Sequence, residues 1–190
     1  MTVHASFARP MGMFDNTYNK IVAWFTGGSY CHSELIFSFT EAQITHFLSS
    51  LDGHDKLKNR VPKYMEDGVV HICFYIVWGD QCSYRLMKKR HNNPFYKFPC
   101  EPQFSLIELN TFNETEEFKM CRFLCDQCKK EYDYIGAMTY FLPYRGRQAV
   151  YPTYFCSQLM VSTFQHVQKF KDINPSSITP NKLYNMLLTN

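Results

Sequence analysis

The 190-residue chain has no long apolar run and no strong excess of charge of one sign. No stretch approaches the ~18 consecutive apolar residues that a membrane-spanning helix needs, so we expect no transmembrane segment. The net charge of +3 is scattered along the chain. The one basic run, Lys88-Lys89-Arg90-His91, has no interleaved stacking motif, and we therefore expect no nucleic-acid partner.

Several signatures of other classes are also missing. The chain has no Gly-rich phosphate loop, no Gly-x-Ser-x-Gly turn and no metalloprotease helix. Its first residues lack the basic and apolar regions of a secretion signal. We therefore interpret the eight cysteines as free thiols of a cytoplasmic, not secreted, protein.

The composition favours a packed core, because 45% of the residues are hydrophobic and 17% are aromatic. Repeats and linkers are absent, which predicts a single domain over residues 1–190. Residues 52–68 read as a polar surface excursion. The strands lie in a block with helices on both sides, which predicts an α+β fold with an antiparallel sheet. Hydrophobic spacing and capping signals predict helices at 14–25, 41–51, 113–132, 132–141, from 156 and from 180, and strands at 31–39, 69–78, 82–87 and 103–109.

Cys156 is placed on the first turn of an apolar helix, after a loop broken by Pro143, Gly146 and Pro152. The unpaired N–H groups and dipole of a helix N-terminus stabilise an anion and can lower the pKa of a cysteine. The thiolate is the nucleophilic form of cysteine. This position therefore predicts a reactive thiol.

His32 supplies the second half of a nucleophilic site. It lies on the 31–39 strand, where His32, Glu34, Ile36 and Ser38 share one face. A face that begins with His and Glu is the pattern expected where a strand opens on a site, and an imidazole there could take the thiol proton. The alternative is a core cysteine and a locally satisfied histidine, since the linear sequence does not establish proximity.

Four motifs resemble, in order, the landmarks of the circularly permuted papain-like hydrolases, the NlpC-type or YiiX-like proteins, some of them encoded by large DNA viruses. They are Gly27-Gly28-x-Tyr30-Cys31-His32-x-Glu34-Leu35, Tyr132-Asp133-Tyr134-x-Gly136-Ala137, Phe155-Cys156-Ser157-x-Leu159-Met160 and Ile178-Thr179-Pro180-x-x-Leu183-Tyr184. Two features depart from the family pattern. Cys31 replaces the usual serine, and the 41–51 helix stands where a short turn is common. That helix could form a wall of a substrate groove or serve packing alone.

The resemblance implies a small antiparallel sheet packed on the helix that carries the cysteine. It implies Cys156 as nucleophile, His32 as base and the Cys156 N–H as an oxyanion donor, with no cofactor. The substrate would be a peptide, isopeptide or acyl compound, attacked through an acyl-enzyme. For a viral member, the location would be the host cytoplasm or the virion.

The third, orienting residue stays open between four candidates. The family commonly draws a polar group from the neighbouring strand, where the chain offers Cys73, Tyr75 or, near the turn, Asp80. Glu34 is the obvious acid, two residues along the strand from His32 and roughly 6.5–7 Å away by strand rise. A long side chain could bridge that distance, so we name Glu34 as the third catalytic residue.

Three other clusters carry weaker signals. The Cys121, Cys125 and Cys128 thiols have a spacing that can bind an iron–sulfur cluster, but on a continuous helix the same spacing predicts a buried face. A zinc site that combined them with His71 or His91 would lack a second Cys-x-x-Cys pair. The 140–147 segment could line the substrate cleft or be an ordinary surface loop. Phe95, Tyr96 and Phe98 are typical loop anchors.

Two rival functions remain. One is a catalytically silent scaffold that acts as a binding or virion structural protein, since a fold does not guarantee chemistry. The other is a lipid acyl hydrolase or acyltransferase, which would need an apolar tunnel beside Cys156. A peptidase would need an open groove.

Overall fold

The computed structural model describes residues 1–89, 92–93, 96–98, 103–139 and 153–189, and it confirms the predicted α+β class with an antiparallel sheet. The five strands are β1 (Thr2–Ala8), β2 (His32–Thr40), β3 (Val69–Tyr75), β4 (Ser83–Met87) and β5 (Phe104–Glu108). The α-helices of the described residues are α1 (Thr17–Phe25), α2 (Glu41–Ser49), α3 (Asp55–Arg60), α4 (Glu114–Gln127), α5 (Tyr134–Thr139), α6 (Cys156–His166) and α7 (Pro180–Leu188).

The strand order is β4-β3-β2-β1-β5, and every neighbouring pair is antiparallel. The first four strands form a meander, which includes the predicted β3–β4 hairpin. β5 then pairs with β1 at the far edge, so the connection from β4 spans the width of the sheet. Phe98 on this connection packs against His71 of β3 and His4 of β1, with ring centroids 4.2 and 5.5 Å apart.

β1 was not predicted, although it is an inner strand between β2 and β5. Its side chains alternate strictly, with His4 and Ser6 on one face and Val3, Ala5 and Phe7 on the other. This alternation over the six residues from Thr2 to Phe7 is the signal that could have identified it. The strand matters for the site, because Ser6 lies directly opposite Glu34 in the register.

The predicted helix starts at Thr40, Asn113 and Thr179 are all confirmed as N-caps. Thr40 and Gln43 form a reciprocal capping box, and so do Asn113 and Glu116. Thr179 accepts a hydrogen bond of 3.0 Å from the third residue of its helix. Caps are readable from sequence because they depend on residues three positions apart.

Three predicted segments differ from the structure. The 52–68 excursion contains α3 and a 3-10 turn, which bury Leu57 and Val61 in the core. The helix from Asn113 ends at Gln127 rather than near 132, because Cys128 turns to an extended conformation and Lys129 has a φ of 77°.

The first predicted helix is also shorter than expected. It begins at Thr17, where the Asn16 side chain accepts a hydrogen bond from the Asn19 N–H, and a separate 3-10 turn covers 12–14. Its apolar residues are spaced as on one face of a helix, but this face does not pack on the core, because Ile21 and Phe25 are 43% and 56% exposed.

The main core lies between one face of the sheet and the helices α4, α6 and α7. β2 contributes Leu35 and Phe37, and α6 contributes Leu159, Val161 and Phe164. Burying such side chains contributes about 1.5–3 kcal/mol each. This packing fixes α6 against β2 and so sets where its first residue lies. Within the described ranges, no helix has the length and apolar character to cross a bilayer.

Candidate active site

Cys156 is the first residue of α6, as predicted. Phe155 is the N-cap, and its amide donates to the Gln158 side chain over 3.3 Å. The N–H groups of a helix's first turn have no acceptor within the helix, so this end of α6 presents positive potential to the sulfur. Cys156 is 7% exposed and lines a cleft.

His32 is the first residue of β2, and its imidazole lies beside the Cys156 thiol, close enough for each group to shift the pKa of the other. The ring also stacks on Phe14, with centroids 5.2 Å apart and an interplanar angle of 21°. The stacking limits rotation of the imidazole. The structure therefore brings together the cysteine and histidine that the sequence singled out from distant parts of the chain.

The two groups shift each other's pKa. Burial by itself raises the pKa of Cys156, but the neighbouring His32 imidazolium, helped by the polar groups of Ser33, brings it below its ordinary value. Burial likewise lowers the pKa of His32, but Cys156 and Glu34 outweigh burial and raise it to about 9. Both shifts favour a thiolate–imidazolium pair at neutral pH.

Glu34 faces the other side of the His32 ring, with its Oε2 3.5 Å from Nε2. Both side chains project from the same face of β2, as the alternation of a strand requires. All three residues predicted for the site are thus neighbours.

Arg85 and Ser6 complete the surroundings of Glu34, and sequence reasoning missed both. Arg85 Nη2 donates to Glu34 Oε1 over 2.6 Å, and the Ser6 hydroxyl donates to the same oxygen over 3.3 Å. Burial alone would raise the pKa of Glu34, but the charges and hydrogen bonds of Arg85 and His32 lower it to about 2. The carboxylate is therefore an anion. A signal for Arg85 was its position as the one charged residue of the β4 segment 83–87.

The face of β2 that was expected to open on a site at one end does so at His32, and beyond His32 it is closed. Glu34 and Arg85 are only 1% and 2% exposed, and of the His32–Glu34 pair only His32 lines the cleft. Arg85 and Ser6 contact the Glu34 carboxylate, and the Tyr75 ring lies against the Arg85 guanidinium. Phe98 packs on the same face further along, against His4 and His71. Glu34 therefore acts on His32 from behind and has no access to a substrate.

The other candidates for the orienting residue lie elsewhere. Cys73 is buried in an apolar cluster with Ile36 and Met87. Tyr75 lines the cleft and lies under the Arg85 guanidinium, 5.0 Å from the ring centroid, while Asp80 lines the cleft near the turn. Glu34 is the candidate whose side chain faces His32 Nε2.

The cleft beside Cys156 has a volume of about 860 Å³. Its walls come from α1, residues 75–80, Tyr132, the start of α7 and Ala137 of α5. Burial raises the pKa of Tyr18 and of Tyr132, whose side chains lie close together, and the charge of Cys156 acts in the same direction. Tyr18 also packs on Trp78, 4.5 Å between centroids. The lining is mainly apolar and aromatic, and it does not include α2, the helix considered as a groove wall.

Asn181 of α7 holds the turn that leads into His32. Its side chain accepts from the Tyr30 N–H and donates to the Tyr30 carbonyl, each over 2.9 Å, and it also hydrogen bonds with Thr26. Gly28 is required in this turn, because a Cβ there would lie 2.2 Å from the Asn181 Oδ1. The Cys31 thiol donates to the Ala8 carbonyl over 3.4 Å, and burial raises its pKa to about 12.

The described residues contain no group of three or more His, Cys, Asp or Glu side chains that could hold a metal ion. Cys121 and Cys125 lie on the buried face of α4, as the helical spacing predicted, whereas Cys128 lies just past its end. His91, Phe95 and the 140–147 segment lie outside the described residues.

No protein-family model, no curated protein and no solved structure matches the chain. Function must therefore be inferred from the chemistry of the site itself. A thiolate at a helix N-terminus, an imidazolium beside it and a carboxylate behind the imidazolium can perform nucleophilic attack and return a proton to a leaving group.

Proposed function

We propose that the protein is a cysteine hydrolase or acyltransferase that acts on an amide or thioester carbonyl through an acyl-enzyme on Cys156. The observation that carries this proposal is the contact between Cys156 and His32 at the edge of an 860 Å³ cleft. A cysteine with only a packing role in the core would gain no stability from a buried imidazole that is itself paired with a carboxylate. The pair lowers the pKa of Cys156, which a nucleophile requires.

In the proposed reaction, the Cys156 thiolate attacks the carbonyl carbon and forms a tetrahedral oxyanion. The Cys156 N–H donates to that oxyanion at the start of α6. His32 then gives its proton to the leaving amine or thiol as the bond breaks, and the acyl group remains on the sulfur. For hydrolysis, the now neutral His32 takes a proton from water, whose oxygen attacks the thioester. Collapse releases the acid and restores the thiolate–imidazolium pair.

Tyr18 supplies a second donor in this proposal. The Tyr132 side chain lies close to that of Tyr18, and both raised pKa values keep these phenols protonated at neutral pH. If Tyr132 donates to Tyr18, the Tyr18 proton is free to point into the cleft. A neutral donor near the sulfur stabilises negative charge that appears on the substrate oxygen.

We propose the permuted papain-like fold on the same grounds. An antiparallel sheet packs against the helix that begins with the nucleophile, and the histidine strand precedes that helix in the chain. The resemblance of the four sequence motifs supports this assignment, and so does the position of the histidine at the start of an inner strand.

A lipid acyl substrate is the second candidate, favoured by the surface around the cleft. Large apolar side chains are exposed on α1, on α5 and on the turn after β3, which are the elements that line the cleft. They are Ile21, Trp24, Phe25, Trp78, Tyr134 and Ile135. Exposed Trp, Tyr and Phe side chains are typical of proteins that dock on the interfacial region of a bilayer.

The test compares wild type with Cys156→Ala, using Cys31→Ala as the matched control, since Cys31 also lines the cleft. We expect a thiol-directed electrophile at low concentration to label Cys156 by peptide mapping, and turnover of one of three probe sets: peptides, ubiquitin-type conjugates or acyl esters in vesicles. Turnover should be lost in Cys156→Ala and kept in Cys31→Ala. Cys156 labelling no faster than that of a free thiol, with no turnover of any probe, would favour the silent scaffold.

A further inference from the structure

A second pair of thiols lies where the turn before β4 meets the end of α4. Cys82 immediately precedes β4, and Cys128 is the C-cap of α4. The Cys128 thiol donates to the Leu124 carbonyl over 3.4 Å, and it lies close enough to the Cys82 thiol for each to shift the pKa of the other. The two cysteines belong to segments that are distant in sequence, so the fold itself brings them together.

Backbone hydrogen bonds hold the two segments together on both sides of Cys82. The Cys82 N–H donates to the Lys130 carbonyl over 2.7 Å, and the Lys129 N–H donates to the Cys82 carbonyl over 2.8 Å. Two residues thus oppose one, as in a bulge, with Lys129 at a φ of 77°. Gln81 and Glu131 continue the pairing as a bridge.

The two sulfurs have unequal environments. Cys82 is 2% exposed, whereas Cys128 is partly open to solvent. The nearby Cys82 thiol and the Lys129 charge lower the pKa of Cys128, while burial and Asp126 act in the opposite direction. The nearness of Cys128 raises the pKa of Cys82. Cys128 is therefore the thiol that meets an external reagent as thiolate, and Cys82 is the thiol placed to resolve the product.

We propose that Cys82 and Cys128 are a redox modification site, which hydrogen peroxide converts into a reversible disulfide. The Cys128 thiolate attacks one peroxide oxygen, the O–O bond breaks, and sulfenic acid and hydroxide form. The Cys82 thiol gives its proton to hydroxide, and its sulfur then attacks the sulfenic sulfur and displaces the second hydroxide, which leaves as water after protonation. In total, two thiols lose two electrons and the peroxide becomes two waters. A dithiol reductant reverses the change.

The disulfide would join the two segments that form one wall of the cleft. Trp78 lies on the turn that leads to Cys82, and its ring packs on Tyr132, four residues after Cys128, with centroids 5.6 Å apart. Tyr132 pairs in turn with Tyr154, just before Cys156. Oxidation would therefore fix this wall relative to the start of α6. The site itself does not depend on the proposed hydrolase activity.

A competing partner exists on α4. Cys125 lies one helical turn before Cys128, and its thiol lies near that of Cys121. A Cys125–Cys128 bond would have to form within the last turn of α4, whereas the Cys82 thiol already lies beside Cys128. The experiment must therefore identify which cysteines are joined.

The test is to treat the full-length native protein with hydrogen peroxide, block free thiols and map peptides without reduction. We expect a peptide that links Cys82 to Cys128, its loss after dithiothreitol, and its persistence in the Cys125→Ala control. The oxidised wild type should unfold about 5–10 °C higher than the reduced form, because the bond closes a long loop. The Cys128→Ser variant should lose that shift.

A Cys125–Cys128 link would overturn the proposal, and so would Cys82 and Cys128 that stay reduced while other thiols oxidise. Because mapping reads the bond directly in wild type, failure of Cys128→Ser to fold would not affect the result. The outcome is also separate from catalysis, since an inactive protein could still form the disulfide and an active one could fail to.

Discussion

The Glu34 carboxylate divides its two oxygens between His32 and Arg85. Oε2 lies 3.5 Å from the His32 Nε2, and Oε1 lies 2.6 Å from the Arg85 Nη2. A buried carboxylate with histidine alone would tend to take up the shared proton. The Arg85 charge prevents this by holding the pKa of Glu34 near 2, so the proton stays on the imidazole. Arg85 is thus a positioning and charge-compensating residue for a site that it does not enter.

Replacing His32 by alanine should change how the reactivity of Cys156 depends on pH. Without the imidazolium, burial is left to raise the pKa of Cys156, whose free value is about 8.5. We expect labelling at pH 7 to slow by about 10–100-fold and its profile to move to higher pH. Rates of iodoacetamide labelling from pH 5 to 10 measure this, with the exposed His46→Ala as control. An unmoved profile would show that His32 does not activate the sulfur.

Glu34→Gln should reduce both stability and turnover, since it keeps the shape but removes the negative charge between His32 and Arg85. Breaking a buried ion pair from one side costs about 3–5 kcal/mol. The double variant Glu34→Gln with Arg85→Met removes both charges and should recover part of that stability without recovering turnover. Urea unfolding and kcat are the two measurements. If the double variant regained activity, Glu34 would have only a structural role.

Acid should destabilise wild type more than a variant without the Glu34 carboxyl. The folded pKa of Glu34 is about 2, below its ordinary value of 4.5. Its stabilisation is therefore present above pH ~4.5 and is lost as the pH falls from there through ~2. The free energy of unfolding, measured between pH 7 and 2, should fall less steeply in Glu34→Gln. If the free energy of unfolding fell equally steeply in both proteins, the lowered pKa of Glu34 would be contradicted.

Asn181→Ala should loosen the turn before His32. The substitution leaves the N–H and carbonyl of the buried Tyr30 without their side-chain partner, which costs about 1–3 kcal/mol. Because His32 follows Tyr30 by two residues, we also expect a lower kcat. Thermal unfolding and turnover measure the two effects, with the exposed Asn185→Ala on the same helix as control. Equal behaviour of the two variants would argue against the anchoring role.

Tyr18→Phe separates oxyanion stabilisation from thiol activation. If the Tyr18 hydroxyl donates to the developing charge, its loss should lower kcat by on the order of 10²-fold. Labelling of Cys156 by an alkylating agent forms no oxyanion and should change little. Tyr132→Phe is the matched control, because it removes the neighbouring hydroxyl of the same pair. A parallel loss of labelling in Tyr18→Phe would show a general disturbance of the cleft.

Local rules predicted the parts of the fold that depend on nearby residues. The caps at Thr40 and Asn113 and the start of α6 at Cys156 follow from side chains within one turn of each other. The partners of Glu34 were not predictable in this way. Ser6 and Arg85 reach the carboxylate from two other strands, and only the register of the sheet brings them there.

The same limit explains the Cys82–Cys128 contact. The sequence predicts a helix that continues to 132, and this helix would place Cys128 on one face with Cys121 and Cys125. In the structure the helix ends at Gln127 and the chain turns back toward Cys82, which places Cys128 beside Cys82. Helix ends without a Gly or Pro signal are hard to place from sequence, and here Lys129 adopts the positive φ instead.

The pairing of β5 with β1 affects the order in which the sheet folds. The β1–β4 meander can assemble from neighbouring segments, but β5 must find β1 across about a hundred residues, as in the Ala5–Ile107 pair. Such long-range closure is slow, because the chain loses entropy before contacts compensate for it. Until β5 docks, β1 is an edge strand, so the Ser6 hydroxyl that donates to Glu34 is more open to water and the Glu34 charge behind His32 is more strongly screened. We therefore expect the nascent chain to carry an ordinary, unreactive Cys156 thiol, which becomes a nucleophile only when the last strand is in place.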